Sequence, residues 1–570
     1  MRIPIVCTCL LLIQVYTICA QTPLRYSAVI HEIMCKPSPV AGLPPFEYVE
    51  LRNISDTAIQ LKDWWLAVNK RETRLPAYWL QPDSMLVLCS PAAVNSFSIA
   101  NIAGVDRMPA LADDSGLVVL YNRHKQVVHA VAYDDSWYGN TRLAKGGYSL
   151  EMGNAALPCS GKINWQASSA SAGGTPGKYN ATAAPVQDES RPDLLYAGIT
   201  DSLHITLQFS KTLDSALAGN VGRYQLTGDI RILSATVLPP LFNAVSLQLS
   251  QPLQQQLLYT VTVNGIADCA GAVSGWMTTA TLGRPQAPVA ADVIINELLF
   301  YPLPGRPEFI ELYNRSTKVI ALDSLRICAR KAAGRLEPLK RISAGARLLM
   351  PGQWLAITTD ATLLCRYYHC RARGQVEEVG SLPVMPMAAG QVVLLTADSL
   401  ILDEVHYTDK QHFQLGNSWQ GASLERIDAE APSLAAGNWH TAAATAGYAT
   451  PGAINSQQRA DEAIAATTVL TPEVFSPDAD GIADQTVLSF RLPGPGWVGN
   501  VTVYDAKGVP VRFLARNILL GNTAFLPWDG TGENAVVLPS GIYIFFIEIF
   551  NRQGEVRRWK HTVVVARKLS

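Results

Sequence analysis

The sequence predicts an all-β chain of four tandem β-sandwich domains behind an export signal. Three observations lead there. Apolar and polar residues alternate with a strand period in short runs such as Val29-Ile-His-Glu-Ile-Met, 41 glycines and 35 prolines punctuate those runs, and one long pattern of strands occurs twice. A length of 570 residues suits three to five domains at about 150 residues each. Lys plus Arg is 46 against 47 for Asp plus Glu, a formal charge of −1, so no global basic field exists to hold phosphate backbones. Nucleic acid is excluded as the expected partner. Charged residues make up 16% and apolar ones 48% of the chain, a composition that builds packed cores rather than disorder.

At the N-terminus Arg2 precedes an apolar run from Ile5 to Ala20 that ends on a small residue. It is too short and poorly flanked for a stable span, so residues 1–20 read as a cleaved signal peptide. A lipid anchor on Cys19 is the weaker reading, because Ile18 stands where that processing wants Gly, Ala or Ser. No later segment spans a membrane: Gly541-Ile-Tyr-Ile-Phe-Phe-Ile is stopped by Glu548 and reads as a buried strand. The expected address is extracellular or the outer cell surface. Export permits disulfides among Cys35, Cys89, Cys159, Cys269, Cys328, Cys365 and Cys370. The pairings expected are Cys35 with Cys159 or Cys89, and Cys365 or Cys370 with Cys328.

The duplication organises the chain. Val29-Ile-His-Glu-Ile-Met and Phe46-Glu-Tyr-Val-Glu-Leu-Arg-Asn answer Val293-Ile-Ile-Asn-Glu-Leu and Pro307-Glu-Phe-Ile-Glu-Leu-Tyr-Asn. Further on, Gly147-Tyr-Ser-Leu-Glu, Asn164-Trp165 and Thr175-Pro-Gly-Lys-Tyr-Asn180 answer Gly421-Ala-Ser-Leu-Glu, Asn438-Trp439 and Thr450-Pro-Gly-Ala-Ile-Asn455. Partners lie 265 apart at Glu32/Glu297, 261 at Glu50/Glu311 and 274 at Trp165/Trp439, the mark of one fold with loops of different length. These landmarks resemble the lamin-tail domain, an immunoglobulin-like sandwich also found in exported bacterial proteins, over 22–182 and 290–457.

Between the copies, 189–283 carries the runs Leu203-His-Ile-Thr-Leu-Gln-Phe-Ser, Val245-Ser-Leu-Gln-Leu and Tyr259-Thr-Val-Thr-Val, which make a small sandwich. With Gly265-Ile-Ala-Asp-Cys-Ala-Gly, they resemble the bacterial Ig-like domain of surface-layer and adhesive proteins. The last domain, 469–568, holds Phe475-Ser-Pro-Asp-Ala-Asp-Gly-Ile-Ala-Asp484, Val501-Thr-Val-Tyr-Asp, Trp528-Asp-Gly-Thr-Gly and Leu538-Pro-Ser-Gly-Ile-Tyr-Ile. That order is similar to the Ig-like domain of flagellar hook-capping proteins and to C-terminal modules of gliding bacteria. The resemblances imply a non-catalytic scaffold for adhesion or for protein or glycan binding. Two alternatives stand behind that reading: an accessory protein of a secreted nuclease or phosphatase system, and a secretion or sorting factor working through the last domain.

Chemistry-bearing residues are sparse. Asp478, Asp480 and Asp484 stand around Gly481 with alternating carboxylates that suit calcium, or an Asx-turn that caps its own loop. Glu32, Glu47 and Glu50, with Glu297, Glu308 and Glu311, offer carboxylate pairs for acid–base work, but Glu47 and Glu50 point to opposite faces of a strand, and acceptors for loop amides are the expected role. His124 and His129 are placed on one predicted strand and on opposite faces, and His406 and His412 stand roughly 20 Å apart at about 3.3 Å per residue. Gly173-Gly-Thr-Pro-Gly177-Lys178 has the wrong spacing for a phosphate loop and reads as a turn before a last strand. Trp64, Trp65 and Trp79 are a candidate platform for sugar rings, against the commoner role of tryptophan in sandwich cores.

Overall fold

The computed structural model describes residues 25–567 apart from 141, 184–187, 276–277, 332–333, 344, 372, 414–418 and 460–463. The expected signal peptide lies outside the described residues. The chain divides into two compact units, one holding residues up to 188 with 239–241, the other 189–238 with 242–570. Both are built of strands joined by turns and short 3-10 segments, as tandem immunoglobulin-like sandwiches.

In the first unit a six-stranded sheet runs in the order Trp165–Ala167, Leu150–Met152, Ala28–Met34, Tyr48–Asn53, Met85–Cys89, Ile102–Gly104. A four-stranded sheet, Val127–Asp134, Ser115–Tyr121, Trp65–Val68 and Arg71–Arg74, packs over it, and Ile30, Ile33, Leu51, Trp64, Leu66, Leu120 and Trp165 fill the space between. Ile30 and Ile33 are an odd number of residues apart, yet both enter this core. A bulge between Ile30 and Glu32 makes that geometry, since one extra residue resets which face the following side chains take. Glu32 and Met34 are thereby turned to the other face, where Met34, Tyr48, Val87, Cys89 and Phe97 form a second small core.

The second unit repeats the plan with Val293–Leu299 and Phe309–Asn314 at the centre of a six-stranded sheet and the same bulge between Ile295 and Glu297. Its opposing sheet holds Leu325–Ala329, Ala389–Thr396 and Ile401–Thr408. In both copies a tyrosine ring lies flat on a glycine of the neighbouring strand: a Cβ on Gly116 would meet Tyr133 Oη at 2.6 Å, and one on Gly390 would meet Tyr407 Oη at 2.3 Å. Each tyrosine then donates to a loop carbonyl, of Ala112 and Pro386 respectively.

Also within the second unit, residues 194–238 and 242–283 form two sheets of four and three strands around Ile205, Leu207, Phe209, Leu247, Tyr259 and Val261. Asp268 fixes their closing turn by accepting the amides of Ala270 and Ala272 and by pairing with the buried Lys211. Val319 and Leu348 from the repeat plan pack into this same core. After residue 466, a three-stranded sheet covers a five-stranded one, with Trp528 edge-on to Phe475, Tyr543 and Phe545. Gln457, the last residue of the second repeat copy, is fully buried, donates to Leu520 O at 3.0 Å and accepts from Gly496 N at 3.0 Å.

The expected cysteine pairings are corrected. Cys35, Cys89 and Cys328 are buried free thiols, and Cys365 bonds to Cys370. Helix Ala361–Tyr367 turns the chain back so that those two Cα atoms stand 5.1 Å apart, within bridging range. Cys35, just past the strand Ala28–Met34, and Cys328, within Leu325–Ala329, lie inside separate cores instead.

Candidate functional site

Pairing of the strands sets three glutamates side by side in each copy. Glu32 lies directly across from Glu50 on one neighbouring strand and from Glu151 on the other, and Glu297 lies across from Glu311 and Glu425. All six are fully buried. Like charges directly opposite repel, and burial disfavours the charged form. Burial first, then the Glu50 carboxylate, pushes Glu32 up to about 8, and burial likewise carries Glu50 and Glu297 to about 8 and Glu311 well above the ordinary range.

What faces these acids is the Thr-Pro-Gly loop. Glu32 Oε1 accepts from Thr175 N (2.9 Å), Ser149 Oγ (2.6 Å) and Tyr48 Oη (2.6 Å), Glu50 Oε2 accepts from Gly177 N (2.5 Å), and Glu151 Oε1 accepts from Thr175 Oγ1 (2.9 Å). In the second copy Glu297 takes Thr450 N (2.9 Å), Glu311 takes Gly452 N (2.6 Å), and Thr450 Oγ1 reaches Glu425 (2.9 Å). Asn180 and Asn455 close the loop by donating to backbone carbonyls of the first strand and of the Ser-Leu-Glu strand. The row is a latch: it satisfies amides of a buried loop that lacks a strand partner. The segment read as a turn before a last strand in fact follows the last strand of its sheet, Trp165–Ala167. Glu151 and Glu425 complete the row unforeseen, although the repeated Ser-Leu-Glu landmark carried their signal.

Glu47 lies apart from the row, half-buried, and accepts from Leu111 N at 2.9 Å; burial raises Glu308 to about 7. A turn at Asn122 to Gln126 separates His124 from His129, so they do not share a strand. Ring nitrogens of His129 meet Ile30 N at 2.9 Å and Pro158 O at 3.1 Å. His406 contacts Glu404 and His412 contacts Thr441, which places them in different surroundings.

Asp478, Asp480 and Asp484 converge, with one oxygen of each within 4.8 Å of the others. Asp484 accepts from Ala479 N (2.7 Å) and Gly481 N (2.8 Å), and Asp480 from Ile482 N (2.8 Å). The carboxylates therefore both cluster and cap their own turn.

The three-tryptophan platform does not form, because Trp64 is buried in the core at 1% exposure. Trp65 instead lines an open groove of about 550 Å³ with Glu72, Arg74, Pro76, Asp106 and Arg107. Lys125 Nζ stands 3.4 Å from the Trp65 ring centre and 2.7 Å from Glu72, and the Arg74 guanidinium lies 4.9 Å from the same ring.

Residues 25–135, within the first copy, match the family model of the Lamin Tail Domain. No curated protein matches the chain. Among solved structures it is similar to the S-layer protein rSbsC(31-844) at 11% identity, over 66% of this chain and 54% of that one, with a TM-score of 0.16. A DUF4876 family protein from Bacteroides thetaiotaomicron is 12% identical over 32% of this chain and 77% of its own, TM-score 0.18. A Ca2+-stabilized adhesin that helps an Antarctic bacterium reach out and bind ice is 9% identical over 96% and 100%, TM-score 0.12. The chain spans about half the length of the first S-layer structures it matches. At these scores the structural likenesses carry no argument about function.

Proposed function

We propose that the chain is an exported, non-catalytic surface or matrix protein in which four sandwiches, 22–182, 189–283, 290–457 and 469–568, display binding sites for a surface protein or a glycan. The observation that carries this reading is the fate of the acids. The carboxylates best placed for acid–base chemistry are spent as acceptors for Thr175, Gly177, Thr450 and Gly452 amides rather than facing a cleft. Near-zero net charge supports leaving nucleic acid out of the partners. Among the described residues no helix is long and apolar enough to cross a membrane. The test is hydrolytic: the purified chain should show no metal-dependent nuclease or phosphatase activity that a Glu50→Gln, Glu311→Gln variant abolishes, and such an activity would reverse the reading.

The runner-up role, sorting through the last domain, rests on the order of its sequence landmarks. Deleting 469–570 and probing intact cells with protease decides it, since normal surface display of the remainder removes that role. Asp478, Asp480 and Asp484 are proposed to hold calcium. Saturation at a hundredfold excess over Kd raises stability by about 2.7 kcal/mol, so the last domain's melting temperature should drop with chelator, and an unchanged melt removes the ion.

A further inference from the structure

We propose that the groove beside Trp65 binds an acidic saccharide through its carboxylate groups. This deepens the display reading above and rests on it for the role such binding would play. Three features of the groove select the ligand. First, its cations are not equally committed. Lys125 is held by Glu72 and by the Trp65 ring, whereas Arg74 lies 4.9 Å from that ring, reaches Asp63 only at 3.9 Å and keeps its side chain 68% exposed. Arg107 has no ion pair among the described residues, and its backbone sits at a φ of 54°, a left-handed conformation that a side chain adopts at a cost. Arg74 and Arg107 therefore offer two guanidinium forks suited to carboxylates.

Second, the groove carries acceptors as well. Glu72 and Asp106 line it, and these would repel a simple polyanion but accept hydrogen bonds from hydroxyls. A ligand with carboxylates and hydroxyls together meets both demands. Third, Leu75 and Pro76 line the groove with apolar surface for the C–H face of a ring, and about 550 Å³ is within the range of small-ligand sites.

The duplication supplies an independent argument. Strand pairing sets Trp65 opposite Tyr121 in the first copy and Arg326 opposite Leu395 at the same step of the second. Arg326 folds back onto the carbonyls of Asp323 and Leu325, at 2.7 Å each. The latch is kept in both copies while this face has changed, as expected if the first copy alone carries a ligand there.

The experiment is affinity electrophoresis of the full chain in gels containing polygalacturonate, dextran or polyglutamate. Polygalacturonate should retard the chain, dextran should not, and polyglutamate should retard it less. Arg74→Ala with Arg107→Ala, both exposed and outside the cores, should weaken polygalacturonate binding at least about tenfold, while Arg326→Ala should leave it unchanged. Added salt should weaken binding in step. No retardation by polygalacturonate, equal retardation by polyglutamate, or an undiminished double variant each overturns the inference. A chain found on the cell exterior that ignores polygalacturonate sinks the groove alone; a chain that binds it but never leaves the cell sinks the display reading alone.

Discussion

The two repeat copies hold the same loop with the same row of glutamates, but they surround that row differently, and the substitutions come in matched sets. In the first copy the bulge amide of Ile30 goes to His129, while in the second the amide of Ile295 goes to Asp403 at 2.8 Å. Asp403 brings a cation with it: Arg426, buried to 1%, pairs with it at 2.8 Å and stands opposite Trp439, where the first copy has Met152 opposite Trp165. At the latch itself Tyr48 gives its hydroxyl to Glu32, and Gly174 makes room, since a Cβ there would meet Tyr48 Oη at 2.6 Å. The second copy has Phe309 and Ala449 in those places, packed against each other. A hydroxyl and a methyl have traded positions. The lesson is that the latch tolerates neighbours of different charge and shape provided each buried polar group keeps a partner.

The largest expected effect comes from separating the ion pair that only the second copy has. Asp403→Ala leaves Arg426 charged and buried, and should cost about 3–5 kcal/mol in denaturant unfolding of the second unit. Adding Arg426→Met, the residue of the first copy, should recover most of it. Loss that persists in the double variant would show that Asp403 matters chiefly for the Ile295 amide.

A smaller effect tests the hydroxyl–methyl exchange. Gly174→Ala should destabilise the first copy by about 1–3 kcal/mol through overpacking, and adding Tyr48→Phe should return part of that loss. If Tyr48→Phe instead adds its full cost to Gly174→Ala, the two sites are not coupled as the geometry requires.

The copies also differ in pH dependence, where they should share one limb and differ in the other. Burial, followed by the Arg52 charge, holds His31 down to about 3, and burial holds His129 at about 4, both below the ordinary 6.5. The stability they permit is present above pH 6.5 and is lost as pH falls toward 4 and 3, because the unfolded chain binds those protons first. Asn296 and Asp403 occupy these positions in the second copy, so His31→Asn should flatten part of the first copy's acid limb. The glutamates act in the opposite sense. With Glu32, Glu50 and Glu297 raised from 4.5 to about 8, their contribution is complete below pH 4.5 and drains away as pH rises through 8 in both copies. Thermal melts of wild type and His31→Asn from acid to alkaline pH read both limbs.

Much of this was legible in the sequence. Alternation and duplication are local patterns, and they point to the all-β sandwiches, the repeated strands and the structural role of Glu32 and Glu50. The bulges at Ile30 and Ile295 were not legible, because a one-residue insertion leaves no composition signal, yet they decide which face each glutamate takes. Likewise Trp64 and Trp65 are adjacent and alike in type; only strand parity sends one into the core and the other to the groove. The cysteine pairings failed for a similar reason, since the helical turn that joins Cys365 to Cys370 lies in a chain otherwise read as strands.

Amide hydrogen exchange at Gly177 and Gly452 in the intact chain tests the latch most directly. Both protection factors should match those of the core strands near pH 6 and fall together as pH rises through 8. Fast exchange at pH 6, or protection in one copy without the other, would contradict the claim that the two glutamate rows are equivalent structural clasps.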